Sequence, residues 1–117
     1  MPYTVDGLPV DPGQEPQNRE GTLWVPLRGL SEMIGARVDW DPDSRVAIVY
    51  HGDNMVTVKP NDTTVDVNGE QMELQAAPFL WEGDTLVPVR LFQQALGFSI
   101  NADLNTNQVD LTGAQSV

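Results

Sequence analysis

A chain of 117 residues with 17 acidic and 6 basic side chains carries a net charge of −11, which disfavours nucleic acid and anionic membrane surfaces as partners. That length allows one domain burying roughly two-thirds of its unfolded surface, so folding needs no metal, and the absence of Cys excludes disulfides and thiolate chemistry. No apolar run approaches the roughly 20 residues that span a bilayer, which excludes membrane insertion, and the opening Met-Pro-Tyr-Thr-Val-Asp lacks a secretory pattern, so the chain is either not exported or a mature piece with a new start Met.

Asp6-Gly7 is the first hairpin signal. Residues 11–20, with Pro12, Gly13 and Pro16 among polar side chains, read as the loosest stretch. Leu27, Leu30 and Ile34 then fall at i, i+3 and i+7, an amphipathic helix with Pro26 expected in its first turn and Gly35 expected to close it in a left-handed conformation. After Gly35 the period changes: Ala36, Val38 and Trp40 alternate, so Trp40 is expected to face inward. Asp41-Pro42-Asp43-Ser44 is a turn, and 45–50 reads as the return strand. Turns at 51–54 and 59–62 bracket a strand over 55–58, and Val65 and Val67 lead into Asn68-Gly69, the strongest short hairpin signal in the chain. A second helix carries Val89, Phe92 and Leu96 on one face, opened by Pro88 and closed by Gly97. A second hairpin follows, with Phe98, Ile100 and Ala102 before the turn and 108–111 after it, and the tail over 113–117 is expected to fray.

The two halves are copies. Val25-Pro26-Leu27-Arg28 returns as Val87-Pro88-Val89-Arg90 at an offset of 62, and the same offset brings Gly7 onto Gly69, Glu20-Gly21 onto Glu82-Gly83 and Asp41 onto Asp103 without a gap. Residues 5–50 and 67–112 are therefore one unit used twice, each copy covering a face its partner exposes. The expectation is a single α+β domain over 3–112, an antiparallel sheet packed on two short helices and built from two pseudo-symmetric repeats. Each helix is too short to persist alone, so packing must hold it.

The order Glu-Gly-x-Leu-x-Val-Pro-Leu-Arg, Gly-Ala-x-Val-x-Trp-Asp, Val-Asn-Gly, Ala-Pro-Phe and Gly-Asp-Thr-Leu-Val-Pro-Val-Arg resembles the copper amine oxidase N-terminal, or stalk, domain family over nearly the whole chain. The second copy departs from the family pattern at Ala102, where Trp is expected, and at Leu91-Phe92-Gln93-Gln94. The resemblance implies antiparallel strands around short helices and an accessory role on exported or surface-attached bacterial proteins. It does not imply copper, because in such oxidases the metal and the quinone belong to a separate catalytic domain.

Chemistry is sparse in the residues themselves. His51 is the only histidine, and Met1, Met33, Met55 and Met72 are scattered, so no copper ligand set is legible and no cofactor is expected. One His, no Cys and no phosphate loop leave no catalytic constellation, and an enzyme is not expected. Arg28 and Arg90 are the best polar candidates. They could grip an anion, or pair with Asp41 and Asp103 to pin helix to hairpin; the structural reading is preferred because the pair recurs in both copies. Asp39, Asp41, Asp43, Asp103 and Asn105 are weak calcium candidates against the alternative of self-capping turns, and no Gly or Glu completes an EF-hand. Phe79 and Trp81 are expected to pack in the core, with an exposed ligand platform as the alternative, and Trp24 reads as core.

These features point to a non-catalytic module at the bacterial cell surface or outside the cell, making protein or polymer contacts. Two alternatives stand beside it: a surface fibre subunit that self-associates through strand edges, and a cell-wall polysaccharide-binding module cut from a hydrolase.

Overall fold

The structure is a computed structural model describing residues 3–113, so Met1 and all of the expected fraying tail except Gly113 lie outside the described residues. Tight turns with left-handed backbone set the strand pairing. β1 (Tyr3–Val5) turns into β2 (Leu8–Val10) through Asp6 and Gly7, whose φ angles are 52° and 83°. Glu20 and Gly21, at 53° and 83°, join β3 (Gln17–Arg19) to β4 (Thr22–Pro26). Positive φ at both central residues gives a turn whose twist matches that of the strands it joins. Glu is an uncommon residue there, which is why Glu20-Gly21 did not read as a turn and β3 was hidden in a segment expected to be loose.

After β4 come α1 (Leu27–Met33), β5 (Arg37–Asp41), β6 (Val46–His51), β7 (Asn54–Val58), β8 (Thr64–Val67) and β9 (Glu70–Glu73). The chain ends with β10 (Phe79–Trp81), β11 (Asp84–Pro88), α2 (Arg90–Gln94), β12 (Ser99–Asp103) and β13 (Gln108–Thr112). The architecture is α+β and mostly strand. It differs from the expected single antiparallel sheet in two respects. The strands divide into three sheets, ordered β12-β13-β1-β2, β10-β11-β4-β3 and β5-β6-β7-β8-β9. In addition β1 runs parallel to β13, with Tyr3 opposite Val109 and Val5 opposite Leu111, so the first and last strands are neighbours. Hairpin signals specify neighbours in sequence; they carry nothing about which distant strand completes a sheet.

One core joins the three sheets to both helices. Val25, Leu30, Val58, Val87, Phe92 and Val109 are all completely buried within it. The Tyr3 ring is buried there too, and burial, followed by the charges of Glu15 and Asp11, pushes its phenol pKa up. The segment before β3 is less loose than expected: Pro12 and Pro16 are buried, and the Pro12 carbonyl lies so close to Gly29 of α1 that any Cβ there would overlap it.

The prolines precede the helices they were expected to open, Pro26 by one residue and Pro88 by two. Pro26, at φ −72° and ψ 124°, ends β4 in extended conformation and α1 begins at Leu27; Pro88 likewise ends β11. The ring fixes φ at a value both strand and helix accept, so the helix starts where ψ changes, after the proline. Gly35 closes α1 at φ 85°, its N–H donating to the Glu32 carbonyl at 3.2 Å while Ala36 N–H donates to Ser31 at 2.9 Å. Gly97, at φ 77°, donates to Gln93 after α2.

Candidate functional site

Arg28 and Arg90 stand beside the ends of β4 and β11, and both are exposed. Neither pairs with the hairpin aspartates. Among the described residues the one ion pair is Arg37–Asp39, at 3.3 Å on the surface. Asp41 is occupied by its own turn, accepting from Ser44 Oγ at 2.8 Å and from Asp43 N–H at 3.0 Å; Asp103 accepts from Asn105 N–H at 2.9 Å. Short Asp side chains satisfy the backbone two residues on more readily than they reach a neighbouring helix. The expected helix-to-hairpin ion pairs are thus absent among the described residues, and each Arg lines a concavity instead. That of Arg90 has a cavity volume of about 280 Å³ with Gln75, Gln93 and Asn101 around it; that of Arg28 has about 200 Å³ with Val38, Trp40 and Leu80.

The calcium candidates resolve into the same turn chemistry. Asp39 pairs with Arg37, Asp41 and Asp103 bind their own turns, and among the described residues no three His, Cys, Asp or Glu side chains gather as a metal group. The Ser44 hydroxyl, then the Asp43 N–H, hold the Asp41 carboxyl below the usual carboxylate range. The residues do not fit copper either. His51, the only histidine, ends β6 with its ring 5.4 Å from that of Phe98.

Aromatic surface is divided between two places. Phe79 and Trp81 share β10, and Arg19 lies over both rings, at 4.7 Å and 5.0 Å from their centroids. Trp81 is 40% exposed, not core, while Phe79 is half-buried and leans on buried Trp24 at 4.9 Å. The second place is one that the alternation of β5 concealed. Trp40 was expected inside with Val38, yet it is 41% exposed, because β5 runs past the core before its turn. Leu80, 61% exposed, stands across from it. A further cavity of about 540 Å³ adjoins Trp40 and Leu80, bordered by Arg45, Lys59 and Asn61. The one sequence signal of this surface was Ala102, which falls at the offset of 62 from Trp40 and is not a large core residue.

The family model described as copper amine oxidase N-terminal domain matches residues 4–111. A curated relative described as a protease inhibitor, from Brevibacillus choshinensis, is 30% identical over 80 residues, covering 68% of this chain. The match covers 24% of the relative, so the chain spans well under half of its length.

Proposed function

The chain belongs to the copper amine oxidase N-terminal domain family, in whose oxidases this domain is a non-catalytic module, and from that membership we propose that it acts as an accessory binding module outside the bacterial cell or on its surface. The observation that carries the reading is exposed aromatic and apolar surface in two places, at Trp40 with Leu80 and at Trp81, on a chain of net charge −11. Large apolar side chains gathered outside the core mark contact surfaces. The kinship with a protein described as a protease inhibitor favours protein contacts over polymer contacts, and it suits an exported protein.

The same proposal includes a fold of two pseudo-symmetric repeats. Support comes from element bounds 62 residues apart: β4 and β11, β5 and β12, β3 and β10. Val25 lies opposite Val87, its own counterpart, where β4 meets β11, as a two-fold axis between the copies requires. Positive φ recurs in step at Asp6 and Asn68, Glu20 and Glu82, and Arg45 and Asn107.

A fluorescent-protein fusion of this chain, added to bacterial cells, tests the module reading. The fusion is expected to stay on the cells through washing while the fluorescent protein alone is released; equal release contradicts the reading. Self-assembly into fibres is the second reading, favoured by the open edges of all three sheets. Light scattering that finds only monomer at high concentration removes it. The polysaccharide reading rests on Trp81 and Phe79, and a glycan pull-down that is unchanged by Trp81→Ala removes that one.

A further inference from the structure

We propose that the groove between the edge strands β5 and β10 takes an extended acidic segment of a protein partner, with Trp40 and Leu80 as its apolar floor and Arg28, Arg45 and Lys59 as its cationic walls. The proposal rests on the module reading above and gives it a site.

Two adjoining cavities, of about 200 Å³ and 540 Å³, share Trp40 and Leu80. Three of the chain's 6 basic side chains border them: Arg28 the first, Arg45 and Lys59 the second. Asp41 and Asp43 share the turn of Arg45 and Asp62 shares that of Lys59, but none of them lines either cavity, so the side facing the groove is cationic and complements an acidic ligand. The two linings include one carboxylate, Asp84 in the first cavity, and its Oδ2 accepts from Gln14 Nε2 at 2.6 Å. None of the three cations has an ion-pair partner among the described residues.

Arg28 recurs as Arg90, but folding does not require the rest of the cluster. At the offset of 62, Trp40 corresponds to Ala102, Arg45 to Asn107 and Leu80 to Asn18, small or polar residues that serve the same elements in the other copy. The other aromatic surface differs, since Arg19 already covers both Phe79 and Trp81.

A peptide suits the groove better than a glycan because of what flanks it. β5 ends the five-stranded sheet and turns a row of unpaired backbone donors and acceptors outward; β10 ends a four-stranded sheet but is three residues long, with its Trp81 carbonyl accepting from Gln14 Nε2 at 3.4 Å, and adds little to that row. An extended peptide satisfies such a row with its own backbone, while alternate side chains reach the floor and the walls.

The test titrates a short labelled peptide of alternating glutamate and valine with the whole chain, followed by fluorescence anisotropy. Saturable binding is expected, weakening as salt rises. Trp40→Ala, and separately the pair Arg45→Glu and Lys59→Glu, should each weaken it by about tenfold or more. Trp81→Ala should leave it unchanged. Because Arg45 and Lys59 are exposed, the charge reversals keep the test valid should Trp40→Ala fail to fold. The proposal is overturned by no saturable binding, by binding indifferent to both sets of substitutions, or by tighter binding of polygalacturonate at the same residues. Loss of binding in Trp81→Ala alone also overturns it, but moves the contact to the Arg19 surface and leaves the module reading standing.

Discussion

Gly29 sits inside α1, where glycine costs about 1 kcal/mol relative to alanine, because the Pro12 carbonyl occupies the space a side chain needs. Backbone cannot swing aside as a flexible side chain can, so overpacking outweighs the propensity gain. Gly29→Ala is expected to destabilise the chain by about 1–3 kcal/mol, read from urea unfolding. Ser31, two residues on, should respond in the opposite direction. Its hydroxyl is fully buried with no hydrogen-bond partner among the described residues, so Ser31→Ala removes an unsatisfied group and improves helix propensity. A gain of about 1 kcal/mol in the same assay is expected; a loss would mean the hydroxyl is satisfied in solution. Asp41 supplies the pH dependence. Its lowered carboxyl pKa contributes stability that is present above the unfolded carboxylate value of about 3.9 and is lost as pH falls through the folded value. In Ser44→Ala the Asp41 midpoint should move up toward the ordinary value, as followed by carboxyl NMR, and an unmoved midpoint would contradict the bond. Sequence alone suggested an Arg28 partner for Asp41, because it shows retained charges and not which donor is nearest; the turn hydroxyl and amide are local and reach Asp41 first.

At the scale of elements, both helices and the hairpins at 36–50 and 98–112 were legible, since apolar spacing changes from helical to alternating at Gly35 and Gly97. The strands β3 and β10 were not, for each is only three residues long and the turns Glu20-Gly21 and Glu82-Gly83 lack the Asn or Asp that advertises a left-handed pair. Those glutamates hold φ of 53° and 48°, a region Asn tolerates better. Glu20→Asn is therefore expected to stabilise the protein by roughly 0.5–1 kcal/mol, seen as a higher melting temperature in calorimetry. A lower melting temperature would show that the glutamate side chain makes a compensating contact. Trp40 illustrates the same limit for the site: alternation gives the face of a strand on which a residue lies, whereas exposure depends on how far the strand outruns the core.

Across the whole molecule, the first and last described strands meet in one sheet through the parallel pair β1 and β13, and Gly113 N–H donates to Asp6 Oδ1 at 2.6 Å. The sequence carries no sign of this closure, because pairing between distant strands leaves no local pattern. Net charge gives the surface its general character, and departures from it locate contacts. Five of the six basic side chains lie beside an exposed tryptophan or line a concavity: Arg19 at Trp81, Arg28, Arg45 and Lys59 around Trp40, and Arg90 beside Gln93. Attraction of an acidic partner to so few cations in a chain of −11 must be short-ranged, acting within about a Debye length of 8 Å at physiological salt.

The most direct measurement is a residue-resolved amide NMR titration of the chain with the glutamate–valine peptide. The account predicts saturating shifts at the Trp40 indole, through 38–47 and 59–61, and along 80–85, with Phe79 and the Arg90 cavity quiet. Shifts confined to Arg19 and Trp81, or no saturating shifts, would contradict it.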